Sequence, residues 1–230
     1  MIKLFISDIS ALDMSLTADK VEKFKFLSEL VINTKNEKHR RERIGAYITL
    51  FECYFKLTGK ALPDLFRDEK GKVQFVSDEK KHSTNCLFNI SHTDNVVVIA
   101  FCTSPPYKSV GVDIEQKRDV TNADRLNERY LKNANNGLQN IKHSDVQIEM
   151  IKMSSQGCIT FMSSFSGEVV ANRDTCSFID NWTGLEAVLK ADGGGFSSLS
   201  KISELSSNAN ILNFSICLQN KEYSLALALI

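Results

Sequence analysis

Three apolar runs, "CLFNIS" from Cys86, "NVVVIAF" from Asn95 and "SVGVDIE" from Ser109, follow one another with only turn residues between them. Runs of this length and composition read as strands, so this part of the chain is committed to sheet. The third run ends differently from the others. Side chains alternate faces along a strand, so Asp113 and Glu115 point the same way, their Cα atoms roughly 6.5 Å apart, with Ile114 opposite. Two like charges in one place raise a carboxylate pKa unless something neutralises them. Water, a basic side chain or a metal ion could do so.

The rest of the chain narrows the setting. Its 230 residues are 43% hydrophobic, which supports a real core in one large domain or two small halves. Formal net charge is zero, so bulk attraction to nucleic acid or to a membrane surface is not expected. The opening "MIKLFISDIS" reads as a first strand, too short and too charged for a signal peptide, and no segment is long enough to span a bilayer. Cys53, Cys86, Cys102, Cys158, Cys176 and Cys217 include no C-x-x-C pair and sit mostly in apolar runs. They read as reduced, buried small hydrophobes of a cytoplasmic protein, not as a disulfide frame or zinc site.

Periodicity predicts a helix over Ala18 to Ile32 and another from about Asn36 to Leu57, basic in "NEKHRRERIG" and apolar in "AYITLFECYFKL", stopping at Thr58-Gly59. A short strand is expected around Lys72 to Val76. Thr121 to about Met153 reads as mainly helical, broken at "KNANNG", and "GCITFMSSFSGEVVA" as a hairpin. A helix is expected from Asp174 to Ala191, stopped by "DGGG", followed by two closing antiparallel strands, "NILNFSICLQ" and "YSLALALI". Without strict βαβ alternation, the class is α+β.

A third acid joins the pair at the end of "SVGVDIE". On the predicted helix Phe178, Trp182, Glu186 and Lys190 recur every four residues and form one stripe. The bland alternative is an exposed Glu–Lys pair, but a Trp on the stripe argues for partial cover, and a covered Glu needs a partner or ligand. Two strand carboxylates and one helix carboxylate would suit Mg²⁺, a hard cation that keeps waters and binds phosphates. Ser91, His92 and Asp94 are too close in sequence for triad geometry, and "SFSG" at Ser164 to Gly167 is no nucleophile elbow. No Walker loop or G-x-G-x-x-G occurs.

"GK" at Gly71-Lys72, "FNISH" at Phe88 to His92, "VGVDIE" at Val110 to Glu115 and "WTGLEAVLKADGGG" at Trp182 to Gly195, in that order, resemble the 4′-phosphopantetheinyl transferases, most closely the longer single-chain subfamily. The resemblance runs from about Lys38 to the C-terminus. It implies two similar α+β halves, residues 1–112 on the coenzyme A side and 113–230 on the metal and catalytic side, related by a pseudo-twofold with the active site in the cleft between them. It implies Mg²⁺-dependent transfer of phosphopantetheine from coenzyme A to a serine of an acyl or peptidyl carrier protein, with release of adenosine 3′,5′-bisphosphate. By the same resemblance Asp113, Glu115 and Glu186 would hold the metal, Glu186 would serve as general base, and Lys190 would reach the phosphates. Lys38, Arg41, Lys72 and His92 would contact coenzyme A. A monomer is the family expectation, without nucleic-acid or membrane partners. Leu185 stands where the family motif has a lysine, Val73 where it has proline, and Tyr54 where it has a basic residue. The competing readings are a degenerate member that binds without turnover, an unrelated Mg²⁺-dependent phosphotransferase or nuclease, and a purely structural α+β module.

Overall fold

Burial on both faces decides the architecture. In the computed structural model, which describes residues 1–17, 34–76, 86–103, 106–132, 142–162, 169–172 and 177–230, the strands form two large sheets. The first has the order β4 (Leu87–Thr93), β5 (Val96–Cys102), β1 (Ile2–Asp8), β7 (Val146–Met153), β8 (Ile159–Phe161). The second has the order β6 (Val110–Gln116), β11 (Lys221–Leu229), β10 (Asn210–Leu218), β9 (Val169–Asn172). A separate ribbon pairs β2 (Leu65–Arg67) with β3 (Val73–Phe75). The pairings are antiparallel except for β1 with β7.

The sheets pack face to face. Val96, Val98, Ala100 and Cys102 of β5 meet Tyr223, Leu225, Leu227 and Leu229 of β11 within one core. The alternate residues Val97, Ile99 and Phe101 face the other way, onto helix α1 (Glu37–Thr58). On β11 the alternate residues Ala226 and Ala228 face helix α3 (Phe178–Asp192). Between the two helices in sequence lies a short α2 (Ala123–Leu126), and α4 (Ile202–Asn208) follows a 3-10 turn at Gly195–Lys201. The layers therefore run α1, first sheet, second sheet, α3. Caps set the helix limits. Asn36 accepts the His39 N–H at the start of α1, and Gly59 closes it in the left-handed region at φ 68°. Ser177 accepts the Asp180 N–H at the start of α3, and Gly193 closes it at φ 85°.

The mixed α+β class and the strands at both ends are as expected. Other expectations are corrected. Residues 146–153 are strand, not helix. Val146, Met150 and Met153 fit a helical stripe as well as Val146, Ile148 and Met150 fit a strand, and pairing with β1 decides for the strand. The expected hairpin after Gly157 does not form, because β8 pairs with β7 in the first sheet and β9 with β10 in the second. Helix α3 begins at Phe178 rather than Asp174. The expected helix at Ala18 to Ile32 and the Ser164 to Gly167 segment lie outside the described residues. Strand β6 spans residue 112, and β7 and β8 join the first sheet from beyond it. Cys53, Cys86 and Cys102 are buried, but Cys158 and Cys217 are exposed, a correction to the buried reading, and Cys176 lies outside the described residues. No described helix is long and apolar enough to cross a membrane.

Candidate active site

The face of β6 that looks at α3 carries Gly111, Asp113 and Glu115. Gly111 fixes the distance. A Cβ there would lie 2.0 Å from the Ala187 carbonyl oxygen and 2.4 Å from the Ala191 nitrogen, so only glycine lets the helix backbone settle on the strand. Small residues, Ala187 and Ala191 on the helix and Ala226 and Ala228 on the neighbouring strand, share the buried cluster at this contact. The next helical position outward is Lys190. Its Nζ donates to Asp113 Oδ1 at 2.5 Å and to Ser91 Oγ at 3.0 Å. Asp113 is 2% exposed, and its Oδ2 forms no hydrogen bond among the described residues.

Edge strands β4 and β6, from different sheets, meet here without a backbone ladder. The "NIS" side chains replace it. Asn89 Oδ1 accepts the Val112 N–H at 2.9 Å. Ser91 Oγ donates to Asp113 Oδ1 at 2.9 Å and sits 3.4 Å from the Ile114 N–H it accepts. Asn89 and Ser91 therefore join the two sheets and hold Asp113, which explains why these types stand at that spacing.

Glu186 and Glu115 complete the acid group. Burial, then the nearby Asp113 and Glu115 carboxylates, push Glu186 up to about 7, against the opposing pull of Lys190 and the Trp182 side chain. Glu115 is raised by burial and by Asp113, with Arg118 opposing from 3.4 Å. The expected partly covered stripe is present: Trp182 stacks on Phe178 with centroids 5.8 Å apart and meets Tyr130 edge-on, also at 5.8 Å. An orphaned buried oxygen on Asp113 and two carboxylates that resist ionisation beside it are the donor chemistry a hard divalent cation satisfies. As the side chains lie, Lys190 supplies the counter-charge. No described group of three or more His, Cys, Asp or Glu is gathered closely enough to hold an ion.

Beyond Lys190 opens a pocket of about 390 Å³. Its wall includes Arg43, Arg67, Lys70, Lys72, His92 and Lys190, a cationic lining suited to a multiply charged anion. His92 and Lys72 both line this pocket. Lys72, however, spends its donors on the protein: Nζ reaches Ser109 Oγ at 2.6 Å, the Ala191 carbonyl at 2.9 Å and the Val110 carbonyl at 3.0 Å. It ties the β2–β3 ribbon to the end of α3, and burial lowers it to about 8. Lys38 and Arg41 do not line this pocket. Arg41 donates to Asn95 Oδ1 at 2.6 Å, and Lys38 lies 3.4 Å from Asp94, both at the β4–β5 turn. Arg43, two residues along α1, lines the pocket instead. Leu185 is 2% exposed and packs with Ala226 and Ala228, so its side chain belongs to the core under α3. Tyr54 is also in the core, 5.1 Å from Phe75.

No protein-family model matches the chain, and no curated protein matches it.

Proposed function

We propose that the protein is a Mg²⁺-dependent 4′-phosphopantetheinyl transferase, moving the phosphopantetheine arm of coenzyme A to a serine of an acyl or peptidyl carrier protein. The observation that carries the reading is Lys190. It belongs at once to the acid group of Asp113, Glu115 and Glu186 and to the wall of the cationic pocket. In this reading the two helix-bearing sheets are the two α+β halves, and the site is the cleft between them.

With Lys190 turned from Asp113 to a phosphate, Asp113, Glu115 and Glu186 would close on Mg²⁺, which would supply charge neutralisation at the transferring phosphoryl group. The chain's own residues do the remainder. Arg43, His92 and Lys190 face the pocket and would orient the coenzyme A phosphates. Glu186, directly or through water, is the candidate to take the serine proton. The serine Oγ then bonds to the β-phosphorus, the bond from phosphorus to the leaving bisphosphate oxygen breaks, and that oxygen keeps the electron pair. The proposed protein is a cytoplasmic monomer acting on carrier domains, without nucleic-acid or membrane partners.

Leu185 favours one second reading, a member that binds without turnover, because the position that would offer a lysine to the phosphates is core. Intact-mass analysis separates the two. Apo acyl and peptidyl carrier proteins incubated with the protein, coenzyme A and Mg²⁺ should gain one phosphopantetheine, and EDTA or Glu186→Ala should abolish the gain. Coenzyme A binding without any gain across the carriers would select the binding-only reading.

A further inference from the structure

Glu42, a buried acid on α1, takes no part in the chemistry above. It is 3% exposed, and its Oε2 lies 3.4 Å from His92 Nδ1 and 3.7 Å from His39 Nδ1. Among the described residues it forms no ion pair with Lys or Arg. A carboxylate taken from water needs a partner, and of the two rings His39 is mostly exposed while His92 is mostly covered. His92 Nδ1 is itself buried and forms no hydrogen bond among the described residues. With Nδ1 turned inward, the opposite edge of the ring, bearing Nε2, is left for the pocket that His92 lines.

We propose that Glu42 is a positioning residue for anion capture: its carboxylate holds the His92 ring by Nδ1 and lets His92 meet a phosphate group as the imidazolium. The phosphate role of His92 rests on the transferase reading; the Glu42–His92 pairing does not. The charged groups facing His92 are Glu42, Arg43 and His39 from α1 and Lys190 from α3. Burial and the three cationic neighbours favour the neutral ring, and Glu42 alone opposes them. A phosphate in the pocket adds a second negative charge. The ring then takes a proton from solvent, Nδ1–H donating to Glu42 and Nε2–H to a phosphate oxygen. The loose 3.4 Å contact becomes a charge-assisted hydrogen bond.

The test is an NMR pH titration of the His92 ring, assigned with His92→Gln, in wild type and Glu42→Gln, together with pyrophosphate binding at pH 6. Removing the carboxylate charge should lower the His92 midpoint by about one unit and weaken pyrophosphate about tenfold. Glu42→Asp should restore most of both. In a His92→Gln background, Glu42→Gln should leave pyrophosphate affinity unchanged. A His92 midpoint unmoved by Glu42→Gln overturns the proposal, as does an affinity loss of equal size in the His92→Gln background. Should the midpoint move as expected while coenzyme A itself fails to bind, the transferase reading falls and the Glu42–His92 pairing stands.

Discussion

Helix α1 meets the first sheet through rings, while α3 meets the second almost backbone to backbone. Under α1, Tyr54, Phe88 and Phe101 form a ring-filled layer in which Phe101 meets Phe5 edge-on at 5.9 Å and lies 6.4 Å from Tyr54. Under α3, Gly111, Ala187, Ala191, Ala226 and Ala228 leave almost no thickness between helix and strand. Only the thin interface carries the acid group. A helix held at ring distance could not bring Lys190 Nζ to 2.5 Å from Asp113. Thick packing supplies stability with room to adjust, and thin packing supplies reach with none.

The hardest blow to this contrast is Gly111→Ala. The added Cβ would meet fixed backbone atoms of Ala187 and Ala191, and overpacking against backbone should cost about 3 kcal/mol or more. Urea denaturation should show a large fall in midpoint, or no folded baseline. A loss below about 1 kcal/mol would mean that the helix can lift away, and the reach argument would fail.

Glu186→Gln should act in the opposite sense. The native state holds a proton on Glu186 up to about pH 7, whereas an unfolded chain releases it near 4.5, so native stability is lost as pH rises through that window. The substitution should stabilise the protein at pH 7.5 by about 1–2 kcal/mol after allowance for partial exposure, a rise of a few degrees in Tm. Transfer activity should disappear. The same proton competes with a cation, so Mg²⁺ should bind wild type about tenfold more weakly at pH 6 than at pH 8, as read by calorimetry.

In the ring-filled layer, Phe101→Leu should cost about 1 kcal/mol with Mg²⁺ affinity unchanged, because the loss is spread over yielding side chains. Lys38→Ala marks the lower end. Its pair with Asp94 spans 3.4 Å at the surface, and thermal unfolding should register less than about 0.5 kcal/mol.

The parts legible in the sequence were those written into local order: the strand carrying Asp113 and Glu115, the half-covered stripe of Trp182, Glu186 and Lys190, and both glycine stops. What escaped depends on rotation and pairing. "KHRRER" offers several cations in a row, and only the burial of Ile44 and Ile48 fixes the helix so that Arg43 faces the pocket and Arg41 the β4–β5 turn. Glu42 was hidden by the same ambiguity. The work of Asn89 and Ser91 was not visible because their partner strand lies in another sheet. Strand β7 was missed because its pairing with β1 is parallel and distant in sequence.

Calorimetric titration of coenzyme A, with and without Mg²⁺, into wild type and Glu186→Gln tests most directly whether the acid group and the cationic pocket are one site. The account predicts binding to wild type that Mg²⁺ tightens, and binding to the variant that Mg²⁺ leaves unchanged. Coenzyme A that does not bind wild type, or whose affinity ignores Mg²⁺, would contradict it.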